Sequence, residues 1–91
     1  MEYKINEKEK QVQVFDGNKK IGLINLVNKG DLIEANHTEV DKEYSGKGIA
    51  GILVDKLVEY ARLENKKIIP TCSYIRNKFE KDEKYKDVYF K

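Results

Sequence analysis

His37 and Glu39 stand two residues apart in an extended stretch, Leu32 to Val40, so a strand there turns both side chains to one face, together with Ile33 and Ala35. Either group can accept a proton. Cys72 is the only cysteine and either serves as a thiolate nucleophile or sits as a small inert hydrophobe, and Tyr74 places a phenol two residues beyond it. Between these lies Ser45-Gly46-Lys47-Gly48-Ile49-Ala50, immediately before the one long helical pattern in the chain. Glycine lets backbone approach a ligand closely, and the first N–H groups of a helix lack intrahelical partners, so this segment reads as an anion cradle for a phosphate-bearing ligand. A plain turn explains two glycines equally well. The segment lacks the third glycine of a GxGxxG fingerprint, and no Lys-Ser or Lys-Thr pair follows a P-loop spacer.

The elements that must position these residues follow from pattern. Tyr3-Lys4-Ile5 and Gln11 to Phe15 alternate as strands, and Asp16-Gly17-Asn18 signals a hairpin. Ile21 to Val27 is a third strand, Asn28-Lys29-Gly30-Asp31 a turn, and Leu32 to Val40 a fourth strand that delivers the chain to the glycine segment. An antiparallel meander results. From Ile49 to Glu64 the period becomes helical, with Ile49, Leu53, Leu57, Tyr60 and Ala61 forming the apolar stripe. Lys67-Ile68-Ile69-Pro70 reads as a short buried strand, and a right-handed crossover makes it parallel to the fourth. Ser73 is the expected N-cap of a short helix through Phe79, and Tyr85, Val88, Tyr89 and Phe90 allow the tail to dock.

Ninety-one residues suffice for one domain, residues 1–91, with one modest core. Eighteen basic and sixteen acidic side chains are interspersed, so no field for a polyanion emerges and nucleic acid is not expected as a partner. No segment has the length and apolarity of a membrane span or the make-up of a signal peptide, and a lone cysteine forms no internal disulfide, which makes the cytoplasm the expected location. No cluster of Cys, His, Asp and Glu has the spacing of a metal site.

The order of elements, the strand ending His37-Thr38-Glu39-Val40, the segment Ser45 to Ala50 and the run Ile69-Pro70-Thr71-Cys72-Ser73-Tyr74 together resemble the GNAT superfamily of N-acetyltransferases, in its short single-domain branch. The resemblance covers most of the chain. It implies an α+β fold: a mainly antiparallel sheet with a central, splayed parallel strand pair, one long helix and a short C-terminal helix. It also implies acetyl-CoA as the bound donor, with backbone amides of Ser45, Gly46, Lys47, Gly48, Ile49 and Ala50 on the pyrophosphate. Gly48 and Ala50 match the family pattern. Ser45 departs from it, standing where an Arg or Gln usually braces the loop.

On the same resemblance the pantetheine arm pairs with backbone near Glu39 and Val40 between the splayed strands. His37 and Glu39 are the expected bases, Cys72 lies beside the thioester, close enough to His37 for the imidazole to activate the thiol, and Tyr74 is a proton donor to the departing thiolate. Each has a bland alternative: a packed histidine, an inert buried cysteine, a packing aromatic. The expected activity is acetyl transfer to an amine, a polypeptide amine included, by a monomer or weak dimer with an open acceptor groove. A non-catalytic acyl-CoA-binding module is the alternative, and Ser45 favours it.

Overall fold

The computed structural model describes residues 1–91. Five strands, β1 (Glu2–Asn6), β2 (Gln11–Asp16), β3 (Lys19–Lys29), β4 (Leu32–Val40) and β5 (Lys67–Pro70), combine with helices α1 (Ile49–Leu63) and α2 (Ser73–Lys81). Short 3-10 turns cover Lys42–Tyr44 and Glu83–Tyr85. The sheet runs in sequence order, β1-β2-β3-β4-β5, antiparallel up to β4 and parallel between β4 and β5. The meander and the crossover are therefore as the patterning requires. The parallel pair, however, stands at the end of the sheet rather than at its centre. After β5 the chain forms only a single bridge, Ile68 with Tyr89, held by Ile68 N–H to Val88 C=O at 2.7 Å and Phe90 N–H to Ile68 C=O at 2.9 Å. That docked tail covers the β5 edge without adding a strand.

One face of the sheet carries the core. Val12, Ile24, Ile33, Ala35 and Ile68 meet Leu53, Val54, Leu57, Val58 and Ala61 of α1, all buried. A fully buried side chain of this size contributes about 1.5–3 kcal/mol, so the α1 stripe is what holds the helix to the sheet. Asn65, at φ 56°, ends the helix in the left-handed conformation, close to the expected stop. α2 buries Ile75 and Phe79, and Phe79 stacks on Tyr85 with ring centroids 5.1 Å apart, which docks the C-terminal residues on the domain. The α2 cap differs from expectation: Cys72 is the N-cap and Ser73 the first helical residue, and the helix continues past Phe79 to Lys81. Cys72 has the extended backbone, at φ −71° and ψ 123°, that a cap position requires.

The main surprise is in β4. Asn25 pairs with His37 while the next residue, Leu26, pairs with Ala35, so Asn36 is an extra residue with no partner on β3. A bulge shifts side-chain alternation by one position. Ile33 and Ala35 face the core, and beyond the bulge Thr38 and Val40 take that face while His37 and Glu39 turn to the opposite, exposed one. The expectation that His37 and Glu39 share a face with Ile33 and Ala35 is thereby corrected. Period-two reasoning cannot see an inserted residue.

Gly22 sits where β3 is squeezed between β2 and β4: a Cβ there would lie 3.0 Å from both the Glu39 carbonyl oxygen and Val14 Cγ1. Gly22→Ala is expected to destabilise the fold by about 1–3 kcal/mol through overpacking, read as a lower midpoint in chemical denaturation.

Candidate functional site

β5 pairs with β4 only from Leu32 to Ala35, whereas β4 runs on to Val40. The two strands part after Pro70. Three contacts hold the point of departure: Cys72 N–H donates to the Ala35 carbonyl at 3.1 Å, and the Thr71 hydroxyl donates to Glu34 Oε2 at 2.8 Å and reaches Ala35 O at 3.4 Å. The Lys29 ammonium and the Thr71 hydroxyl hold the Glu34 carboxyl below the usual carboxylate range. Beyond this junction the outer edge of β4 is free. Asp41 N–H bonds the Ile21 carbonyl at 2.7 Å, so the antiparallel alternation commits the backbone of Glu39 and His37 to β3 and leaves that of Thr38 and Val40 facing the gap. Of the two backbone positions expected to meet a pantetheine arm, Val40 presents its groups and Glu39 does not. Thr38 presents its groups to the gap as well.

Cys72 stands at the mouth of this gap, half-buried, with its sulfur 3.5 Å from the Thr38 hydroxyl. Burial pushes the thiol up, but the Thr38 hydroxyl and the N–H groups of Ile75, Tyr74 and Thr38 outweigh it, so the thiol titrates below its ordinary value. Two of those donors are the unpaired amides of the α2 N-terminus, a known setting for a reactive thiolate. The activating partner expected from sequence was His37, and here the structure differs. His37 Nε2 lies 2.9 Å from Glu39 Oε1, with both side chains more than half exposed, on the opposite face of β4 from Cys72. The bulge separates base and thiol.

The glycine segment forms the other end of the site. Gly46 and Gly48 both adopt φ 78°, and Gly48 caps α1 from the left-handed region without any side-chain hydrogen bond. A β-carbon at that φ costs about 1–2 kcal/mol, which is why glycine is needed at these two positions. The first α1 backbone bond is Ile52 N–H to the Gly48 carbonyl, at 3.2 Å. The six consecutive N–H groups from Gly46 to Gly51 therefore have no partner in the protein. No acidic residue occupies the first turn. Five of those amides belong to the expected set, Gly46 to Ala50. Ser45 stands apart, its N–H and hydroxyl both bound to the Lys42 carbonyl, at 3.2 and 2.9 Å.

The missing brace at Ser45 has a substitute that the sequence did not advertise. Tyr44 donates to Asp16 Oδ2 at 2.6 Å, tying the segment to the β2–β3 hairpin, and its ring lies under Lys47, 5.7 Å from the ammonium, and Lys19, 6.0 Å away. The Asp16 carboxylate holds the Tyr44 phenol above its ordinary value. Tyr74, expected near a departing thiolate, brings its hydroxyl to Gly51 in the first turn of α1, 3.9 Å from where a Cβ would stand.

A five-stranded sheet whose single parallel pair parts above an unpartnered amide loop is the frame of an acyltransferase of the GNAT type. The family model described as GCN5-related N-acetyl-transferase matches residues 3–88, and the chain belongs to that family. Its fold is similar to the solution structure of a GCN5-like protein from Staphylococcus aureus, with a TM-score of 0.77 and 33% identity over 98% of this chain and 87% of that one. No curated protein matches the chain. No helix is long and apolar enough to cross a membrane.

Alkylation of Cys72 tests the local electrostatics. Because the thiol titrates below its ordinary value, reaction with iodoacetamide should reach half its plateau at a pH below that of a free cysteine, and Thr38→Val should move that midpoint upward. A midpoint at the free-thiol value in the unaltered chain contradicts the arrangement.

Proposed function

We propose that the protein binds acetyl-CoA and transfers its acetyl group to an amine, and that it does so with the acceptor on the face of the sheet opposite the helices. The observation that carries this reading is the run of six unpartnered amides, Gly46 to Gly51, leading to an open β4 edge. Exposed main-chain donors at the positive end of a 15-residue helix suit a diphosphate. The free backbone groups of Thr38 and Val40 suit an arm that carries amides. The residues present fit the donor in both its charged and its amide-bearing parts.

When bound, acetyl-CoA supplies an acyl carbon activated as a thioester. The rest of the chemistry belongs to the chain. His37, on the exposed face beside the gap, takes the proton that the attacking amine loses, and Glu39 stands next to it on the same face. The Thr38 N–H, unused by the sheet and turned toward the Cys72 sulfur, is the donor that a carbonyl oxygen held in the gap would engage in its place. Cys72, on the helix side, cannot pass its proton to His37. Direct transfer is the simpler route. In a second route, favoured by the lowered Cys72 thiol, the Cys72 sulfur would take the acetyl group as the thioester C–S bond breaks and coenzyme A departs, and the amine would then take the acetyl group and release Cys72; mass spectrometry of the protein after exposure to acetyl-CoA separates the routes by an acetyl on Cys72 that added amine removes.

The acceptor side is an open face of strands, which suits a polypeptide or another exposed amine, with the chain acting as a monomer or weak dimer in the cytoplasm. Gly48→Asp is expected to weaken acetyl-CoA binding at least about tenfold by placing a carboxylate among the cradle amides, read by isothermal titration. Asp tolerates the left-handed region better than most residues, so the fold should persist. Unchanged affinity in the folded variant removes the loop assignment. His37→Ala should lower kcat by about a hundredfold while leaving acetyl-CoA affinity intact.

A further inference from the structure

α2 directs two side chains one turn apart at the first turn of α1. Lys78 Nζ lies 3.5 Å, and the Tyr74 hydroxyl 3.9 Å, from the position a Cβ on Gly51 would occupy. Gly51 is the third residue of α1, and the ammonium lies at ordinary contact distance from the site of its absent side chain. Lys78 is half-buried, its ammonium over the Tyr85 ring, 5.7 Å from the centroid. Neither Lys78 nor Lys47 is paired with a carboxylate.

This arrangement is electrostatically unfavourable by itself. A cation beside a helix N-terminus meets the positive end of the dipole, and no acidic residue in the first α1 turn offsets it. An anion held between them reverses the sign of every one of these terms. We infer that Lys78 is a donor-binding residue, its ammonium reaching the diphosphate of acetyl-CoA across Gly51 from α2 while the α1 amides hold the same group from the other side. The inference rests on the reading under Proposed function and adds to it a charge that the family's backbone cradle does not supply. In this chain the α2 cation supplements a loop whose usual long side chain is replaced by Ser45. Tyr74 forms the polar wall beside it.

The test uses the intact chain with acetyl-CoA, 3′-dephospho-CoA and S-acetylpantetheine, followed by calorimetry and by NMR shift titration. Lys78→Met keeps an unbranched apolar side chain and removes the charge, including its contact with the Tyr85 ring. It should weaken acetyl-CoA and 3′-dephospho-CoA about tenfold each, leave S-acetylpantetheine unchanged, and flatten the salt dependence of binding. Lys78→Arg should recover most of the affinity. Equal loss for S-acetylpantetheine marks a merely structural role and overturns the inference, as does undiminished acetyl-CoA affinity. A loss confined to acetyl-CoA, with 3′-dephospho-CoA unaffected, overturns the assignment to the diphosphate. An unaltered chain that takes up none of the three ligands defeats the broader reading, whereas an unaltered chain that binds while Lys78→Met binds equally well defeats the role of Lys78 alone.

Discussion

The early end of β5 governs this molecule. A parallel pair that stayed together to Val40 would consume the backbone groups of Thr38 and Val40 in a ladder and leave no gap. The Thr71 N–H, next in line to face β4, turns back to the Ile69 carbonyl at 3.1 Å, and the Thr71 and Cys72 contacts to Glu34 and Ala35 turn the chain away at that point. The β4 strand is long enough to continue alone because β3 supports it on the other side through Gly22 to Lys29. Unpaired backbone in a sheet is ordinarily a liability, tolerated where a ligand or solvent completes it.

The bulge at Asn36 gives the gap its two distinct sides. Thr38 is turned toward Cys72 and the helices, and His37 and Glu39 toward the open face, so the hydroxyl–thiol pair and the imidazole–carboxylate pair occupy opposite sides of one strand. Without the extra residue, His37 would point into the core and the open face would carry Thr38. A one-residue irregularity thus separates two chemistries that the sequence places side by side.

At the other end of the site, stability and binding pull in opposite directions. α1 begins with a left-handed glycine, no capping side chain and no acidic first turn, each of which costs the isolated helix some stability. The buried stripe from Ile49 to Ala61 offsets this by fixing the helix on the sheet, and Tyr44 with Asp16 steadies the approach to it. The chain stays within reach of an anion because it does not satisfy its own amides.

Much of this was legible in the residues. Alternation set the strands, the 3.6-residue period set α1, the strand-helix-strand order set the parallel pairing, and Gly46 and Gly48 marked the loop, because each of these depends on near neighbours along the chain. Family resemblance pointed to His37, Cys72 and the amide loop. What required the tertiary structure was everything that depends on counting across strands or on contacts between distant segments. The Asn36 bulge, which parts His37 from Cys72, exists only as a mismatch between β3 and β4. The position of the parallel pair at the sheet's end follows from a tail that docks without forming a strand. Tyr44 on Asp16, Thr38 beside Cys72, and Lys78 over Gly51 join residues 28, 34 and 27 positions apart, and no local pattern encodes such meetings. Sequence determined which groups were present and in what elements; packing decided which of them face one another, since side-chain direction is fixed by register and register by the whole sheet.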